Sequence, residues 1–416
     1  MTPPSPTHPS GLRVLVLSWR DSGHPEGGGA ELYLDHVLAG LVRAGHVITV
    51  LTARYPGSAR RSEEGGVRIL RAGGRFTVYL RSALRLLLRR GGRFDVVVDV
   101  QNGMPFFARL LTRRPVVVLC HHVHREQWSI ALGSGWGGRV AARVGWWIES
   151  RLAPKAFRRC RYVTVSSRSA DDLVQLGVDR DRVTVVHNGA PPPRAGTGRS
   201  VQPELLVLGR LVPHKQVEHA VRSLAVLSDR FPALRLVVAG HGWWEQEIRN
   251  EIARLGLGSR VDVTGFVDDD QKHMLLSRAW VLVTPSVKEG WGLCVIEAAA
   301  HGTPTVAYRS AGGVAESVLH GSTGLLAEDE ADLTEQIAQL LGNAELRASM
   351  GTSARAHAGG FTWTRTAELF DDVLVTAAGR ARAGRPAELP RPVVAIPSPS
   401  TPGDDLVLLD AEAVGS

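Results

Sequence analysis

Two carboxylates eight residues apart, Glu289 and Glu297, sit in the stretch SVKEGWGLCVIEAAAHGTPTVA. An apolar run ends at Thr284, a polar loop carries Glu289, and a helix is expected from near Gly292. That places Glu289 in a cleft and projects Glu297 from the first turns of the helix. Ionised carboxylates are pure acceptors, suited to the hydroxyls of a sugar. The amides of Gly290, Trp291, Gly292 and Leu293 lie where that helix begins, a position that favours phosphate. Earlier, GRLVPHK sets Arg210 and Lys215 in a loop leading to a helix from about Val217. Arginine forks across phosphate oxygens and lysine acts as a point charge, so the pair suits a diphosphate.

The first half offers two further groups. Gly27, Gly28 and Gly29 precede a helix expected over Ala30–Leu41, and a glycine turn there bares amides to an anion. The spacing is not GxGxxG, because Leu32 falls where the last glycine belongs. After Val116–Cys120 comes His121-His122-Val123-His124-Arg125-Glu126. Zinc needs three or four converging ligands. Nothing else in the chain supplies them, which leaves a polar site histidine or one hydrogen-bonded in a loop. Asp268-Asp269-Asp270 has the DxD spacing of metal sites but precedes the helix-like QKHMLLSRAW, where acidic residues cap a helix. No metal is expected.

Positioning these groups takes parallel strands. Nearly all-apolar runs occur at Leu12–Leu17, Val47–Leu51, Asp95–Val100, Val116–Cys120 and Tyr162–Val165. A second series follows at Leu205–Leu208, Leu234–Ala239, Val261–Thr264, Trp280–Thr284 and Thr305–Ala307. Strands covered on both faces read this way. Ten of them with intervening helices predict an α/β protein of two doubly wound domains. The Pro/Gly-rich Gly189–Gly198 divides the series as a linker. The expected organisation is a tail over 1–10, domains over 11–190 and 201–362 joined by 191–200, a returning helix over 363–378, and a Pro/Ala-rich tail over 379–416.

The chain is 44% hydrophobic and 22% charged, as for a globular protein. No apolar window is long enough to span a membrane. MTPPSPTHPS lacks the features of a secretory signal. Cys120, Cys160 and Cys294 are too scattered for a disulfide framework. A cytoplasmic location is expected. The net charge of +8 is uneven, with 28 basic and 14 acidic residues over 11–190 and the remainder mildly acidic. Such a field favours anionic partners.

The chain resembles the retaining glycosyltransferases of family 4, which have the GT-B architecture of two Rossmann-like domains facing across a cleft. The resemblance spans about residues 11–375 and rests on GGGAELYLDHVLAGLVRAGHVITVLTA, VVHNGA, LVLGRLVPHK, VAGHG, VTGFV and the Glu289–Glu297 element. It implies a nucleoside-diphosphate sugar donor held mainly by the second domain, with no cofactor. Arg210 and Lys215 then match the pair gripping the diphosphate, Glu297 the carboxylate on the ribose, and Glu289 the one facing the donor sugar. Gly28 and Gly29 match the glycine loop near the diphosphate, and His121 the strand-end histidine approaching the sugar. Gly265–Val267 would border the base. Departures occur at Gly240-His-Gly-Trp243-Trp244, bulkier than the family pattern, and after Asn188-Gly189, where Ala-Pro-Pro-Pro follows.

The acceptor is read from the basic half. FTVYLRSALRLLLRR (76–90) forms an amphipathic helix with Arg81, Arg85 and Arg89 on one stripe and Tyr79, Leu80, Leu84, Leu87 and Leu88 available for another face. It suits the inner face of an anionic membrane, or docks on the sheet with a solvated basic face. Trp128, Trp136, Trp146 and Trp147 suit an acceptor cleft, an interfacial surface or a core. The expected reaction is hexosyl transfer to a lipid-linked or cell-envelope acceptor. The alternatives are a soluble phosphorylated acceptor such as an inositol phosphate, or a silent binding subunit. No base-reading motif accompanies the basic residues, so nucleic acid is not an expected partner.

Overall fold

The computed structural model describes residues 11–88, 93–124, 128, 135–190, 192 and 198–379. The first sheet holds β1 (Arg13–Leu17), β2 (Val47–Thr52), β3 (Arg61–Glu64), β4 (Val67–Arg71), β5 (Val96–Gln101), β6 (Val116–Cys120), β7 (Arg161–Thr164) and β8 (Val183–Val185). Its order is β3-β4-β2-β1-β5-β6-β7-β8. The second holds β9 (Glu204–Leu208), β10 (Arg235–Ala239), β11 (Val261–Gly265), β12 (Val281–Thr284), β13 (Thr305–Tyr308) and β14 (Gly324–Ala327), in the order β11-β10-β9-β12-β13-β14. The helices that position the sites are α1 (Gly29–Arg43), α2 (Thr77–Leu87), α3 (Ala108–Leu111), α4 (Trp136–Trp147), α5 (Ala153–Ala156), α6 (Val217–Leu227), α7 (Asp269–Arg278), α8 (Leu293–Ala300) and α9 (Trp363–Ala377).

All ten expected strands are present, and the structure adds β3, β4, β8 and β14. The additions lack an all-apolar run. β3 reads RSEE on the exposed sheet edge, β4 alternates as VRILR, β8 has three residues and β14 opens on glycine. One pair departs from the parallel expectation: β3 runs antiparallel to β4. A hairpin strand closes that edge, which a crossover connection cannot do in so few residues.

Alternate side chains of β1 serve two cores. Val14 and Val16 pack with Tyr33, Val37 and Leu41 of α1 and Phe370 of α9. Leu15 and Leu17 pack on the other face with Val78 and Leu86 of α2 and with Phe157. The first core does not stop at the domain edge, because Trp291, Ile296, Ala299 and Ala300 of the second half join it. Most of the expected linker (191 and 193–197) lies outside the described residues, as do both expected tails apart from Gly379. The chain crosses between the halves where the amide of Ala190 donates to the carbonyl of Phe361 at 3.0 Å. Gly189 is needed there, since a Cβ would lie 2.2 Å from the amide nitrogen of Trp363. Beyond it α9 returns onto α1, and His46 Nε2 meets Asp371 at 2.8 Å.

Candidate active site

Ligands of parallel sheets bind beyond the carboxyl ends of the strands, and there the two halves meet. β9 delivers Gly209, whose φ of +148° is open to glycine, then Arg210. The chain turns through Pro213–Lys215 and enters α6 after Gln216, itself left-handed at φ +47°. Lys215 Nζ makes a close ion pair with Glu289 Oε1, and Ser286 Oγ donates to the same oxygen at 2.7 Å. The Glu289 backbone is fixed as well: its amide donates to Ala311 at 2.9 Å and its carbonyl accepts from Gly313 at 3.0 Å. Burial would raise the Glu289 pKa, but Lys215, the Ser286 hydroxyl and His214 outweigh it and hold the carboxyl below its ordinary value. Burial, with Lys215 adding to it, pushes His214 down to about 4.

Gly292, at φ +82°, opens α8. Among the described residues the amides of Trp291, Gly292, Leu293 and Cys294 find no acceptor in the protein. They form the anion-ready end of the helix. Glu297, one turn in, is buried and ion-paired with Lys272 Nζ of α7 at 2.8 Å. Burial is the larger influence and leaves its pKa raised despite that lysine. Lys272 also reaches Asp269 at 3.0 Å.

The N-terminal half closes over this loop. A Cβ on Gly28 would lie 3.5 Å from Arg210 Nε, and one on Gly29 would lie 3.9 Å from the Leu293 side chain. A Cβ on Gly290 would collide with the His121 carbonyl at 2.5 Å. Gly28, Gly29, Arg210, Leu293, Gly290 and His121 therefore share one seam. The buried His121 ring stands edge-on to Tyr33 at 5.0 Å. Its Nε2 is buried with no hydrogen-bond partner, and burial pushes its pKa down to about 4, so it is neutral near pH 7.

Some expectations need correction. The Trp291 side chain is buried between the halves, 4.4 Å from the His187 ring and 5.2 Å from that of Phe361. Its indole fills the hinge, so only its amide is placed to meet a ligand. Glu297 is less open than its place on the first turns of α8 suggests, being closed by Lys272. On α2, Val78, Ser82 and Leu86 are buried, whereas Leu80, Leu84, Leu87 and Leu88 are exposed beside Arg81. Tyr79 alone of the expected apolar set turns inward, against Phe106 at 4.6 Å. Arg89 and Glu126 lie outside the described residues.

The capping expected of the acidic run before α7 is present. Asp268 caps α7, accepting from the Gln271 amide at 2.8 Å. No group of three or more His, Cys, Asp or Glu that could hold a metal ion occurs among the described residues. His124 is engaged by the buried Glu149, which accepts from its amide at 2.8 Å and from Trp128 Nε1 at 3.0 Å. Val267 is half-buried against the second core, next to Phe266, whose exposed ring lies 5.8 Å from that of His241. In the bulky Trp243-Trp244 stretch, Trp244 packs on that core and Trp243 is exposed.

The sequence reading missed a charged group on the acceptor side. Arg20 pairs with the buried Glu31 at 3.0 Å and lies 4.2 Å over the Trp19 ring, and Glu31 also accepts from the Gly28 amide at 2.8 Å. Burial lowers the Arg20 pKa, Glu31 opposes that, and Arg210 lowers it further. The available signal was positional: Arg20 follows β1 by three residues, and Glu31 lies in the first turn of α1. Lys272, the partner of Glu297, carried no such signal.

Two facing Rossmann-like domains with cations, amides and carboxylates converging at their seam define a glycosyltransferase of the GT-B architecture. Residues 27–194 match the model described as Glycosyltransferase Family 4, and residues 195–357 match Glycosyl transferases group 1. The chain belongs to this family of glycosyltransferases. It is 34% identical to the D-inositol 3-phosphate glycosyltransferase of Nocardia farcinica, over 50% of this chain and 51% of that one. It is 27% identical to the GDP-mannose-dependent alpha-(1-6)-phosphatidylinositol monomannoside mannosyltransferase of Mycolicibacterium smegmatis, over 80% and 90%. Thus the chain spans about half the length of the first relative and most of the second. The fold is that of sucrose-phosphate synthase from Thermosynechococcus elongatus, with a TM-score of 0.73, 18% identity and coverage of 87% and 98%.

Proposed function

We propose that the protein transfers a hexosyl unit from a nucleoside-diphosphate sugar, with retention and without a metal, to a lipid-linked or cell-envelope acceptor. The observation that carries the donor reading is the seam itself: Arg210 lies against Gly28, beside a Lys215–Glu289 pair and the free amides that open α8. As the glycosidic bond to phosphate breaks, negative charge grows on the diphosphate. Arg210, Lys215 and those amides are preorganised to take it. Glu289, kept ionised, accepts hydrogen bonds from sugar hydroxyls, and the unpartnered His121 Nε2 is free to bond the sugar from the other side. In the reading carried over from the resemblance, the acceptor attacks from the face the phosphate leaves, and that phosphate takes its proton. Glu297 holds the ribose once Lys272 yields one carboxylate oxygen.

The lipid-linked acceptor is supported by α2, which turns Leu80, Leu84, Leu87 and Leu88 outward beside Arg81 and Arg85. An apolar stripe with cations suits the surface of an anionic membrane, so we place the protein in the cytoplasm, in peripheral contact with the inner face of the cell membrane. No described helix is long and apolar enough to cross a membrane. A second reading, a soluble phosphorylated acceptor, draws on Arg20 and Arg75, whose guanidinium groups lie 4.2 and 5.5 Å from the Trp19 ring. The assay offers UDP-, GDP-, ADP- and dTDP-hexoses with either a detergent-dispersed polyprenyl or inositol lipid or a soluble inositol phosphate, and proton NMR reads the product anomer. Transfer to the lipid with the donor's anomeric configuration is expected. Transfer only to the soluble phosphate overturns the acceptor, and an inverted product overturns the mechanism. Absence of transfer with every pair favours the silent binding subunit.

A further inference from the structure

At the opposite end of the first sheet lies a second cationic cleft. It occupies about 660 Å³ between α3 and α5 and is lined by Arg109, Arg113, Lys155, Arg158 and Arg159. No carboxylate lines it, and none of these five cations makes an ion pair among the described residues. Arg113 stands three residues before β6 and Arg159 two before β7, whereas His121 follows the far end of β6. One five-residue strand, about 16 Å at 3.3 Å per residue, separates this cleft from the seam.

The walls of the cleft are built. Buried Asp99 accepts from the amides of Phe106 and Ala108, both at 3.0 Å, and so fixes the start of α3. Between them Phe107 takes a left-handed φ of +55°, a conformation that costs a non-glycine residue energy and persists only where the surroundings impose it. Its ring stacks on that of Phe157, just after α5, at 6.0 Å and 8°. That contact locks α3 against α5. Arg109 and Arg113 are thereby held opposite Lys155, Arg158 and Arg159. Like charges gathered around one hollow repel, modestly where water screens them, and an anion seated there relieves that repulsion.

We propose that this cleft is a binding site for a phosphate-bearing anion, separate from the donor site. Guanidinium groups on two walls suit forked contacts to phosphate oxygens. A free oligophosphate and an anionic lipid headgroup carry the same chemistry. Exposed Leu110 at the rim, and Trp136, Val140, Val144 and Trp147 exposed along α4, leave room for either.

The test titrates inorganic tripolyphosphate into the full chain by calorimetry and, in parallel, floats the protein with phosphatidylcholine vesicles with and without phosphatidylglycerol. The variants are Arg113→Ala/Arg158→Ala, Lys155→Ala/Arg159→Ala, Arg210→Ala for the donor seam, and Arg230→Ala/Arg235→Ala, which removes equal charge from exposed sites in the second half. Losing two charge-assisted contacts should weaken binding about tenfold or more in each cleft variant. It should leave binding close to that of the unaltered protein in Arg230→Ala/Arg235→Ala, whereas Arg210→Ala should remove only the part of tripolyphosphate binding that the donor seam contributes and leave vesicle flotation as it was. Loss confined to tripolyphosphate identifies a free oligophosphate ligand, and loss confined to anionic vesicles identifies a lipid headgroup. Binding unchanged in both cleft variants, or reduced as much by Arg230→Ala/Arg235→Ala, overturns the proposal, as does failure of the unaltered protein to bind either probe.

Discussion

The two halves of the molecule treat their charges differently. In the second half most cations are matched, among them Arg222 with Glu330 and Glu251, Arg278 with Glu204, Arg309 with Glu328, Lys272 with Glu297 and Lys215 with Glu289. In the first half Arg20–Glu31 and Arg71–Asp21 are paired near the seam. The outward-facing Arg81 and Arg85 on α2, and the five cations between α3 and α5, have no carboxylate partner among the described residues. Fewer cations of the second half lack a carboxylate partner among the described residues, Arg230, Arg235 and Arg260 among them. The first half carries a basic surplus that favours anionic partners. Specific ligand chemistry is concentrated at the seam, and partner recognition is spread over the basic half.

The contrast is broken most severely at the seam. Arg210→Ala and Lys215→Ala should each lower turnover about 10²–10³-fold, the loss seen when a preorganised charge-stabilising group is removed. Arg210 is exposed and has no carboxylate partner among the described residues, so its variant should melt with the unaltered protein. A turnover loss below about tenfold would remove it from the donor site.

Glu297→Gln sharpens the contrast, because it takes from the half-buried Lys272 its buried partner and leaves it only the exposed Asp269. The loss should therefore fall at or below that of a fully buried pair. Breaking a buried pair costs about 3–5 kcal/mol. Adding Lys272→Met should return most of that stability in denaturant melts without restoring nucleotide affinity. Recovery of affinity in the double variant would make Glu297 a structural residue.

Acid sensitivity follows from the buried histidines. The His121 pKa is about 4 in the folded chain, against about 6.5 when unfolded. Between these values the unfolded state binds more protons. The stability His121 contributes is therefore complete above about pH 6.5 and is lost as pH falls toward 4, at up to about 1.4 kcal/mol per pH unit. Denaturant melts at pH 7, 6 and 5 should fall less steeply for His121→Asn. An unchanged slope would show that His121 is not held neutral by burial.

The smallest effect is expected on α2. Leu80→Ser with Leu84→Ser alters exposed side chains, so stability should move by no more than about 0.5 kcal/mol per site. Flotation with anionic vesicles should weaken several-fold. Undiminished flotation would move the membrane contact elsewhere.

Much of the second half was legible because its chemistry is local. Arg210, Lys215, Glu289 and the amides that open α8 all lie in the loops within about ten residues past a strand end, where a parallel sheet puts its ligand. What failed to show were partners supplied from distant segments. Lys272 reaches Glu297 from 25 residues away, and Trp291 is buried by His187 and Phe361. Spacing along the chain carries no record of such contacts. The first half was harder. On α2 the leucines outnumber what one face can bury, and composition could not decide that Val78, Ser82 and Leu86 would be the ones taken. β3 and β4 escaped notice because an edge strand of Arg, Ser and Glu has no apolar signature. The cleft between α3 and α5 draws on residues more than 40 positions apart, so it becomes visible only in the fold.

Binding of a nucleoside diphosphate at the seam underlies every step of the proposed transfer. It is tested most directly by the melting temperature of the full chain with UDP, GDP, ADP and dTDP, beside Arg210→Ala and Lys215→Ala. A ligand at one hundred times its dissociation constant adds about 2.7 kcal/mol, which shifts a melt measurably. A rise with one nucleotide is expected, abolished in both variants. No rise with any nucleotide in well-folded protein, or a rise that survives both substitutions, would contradict it.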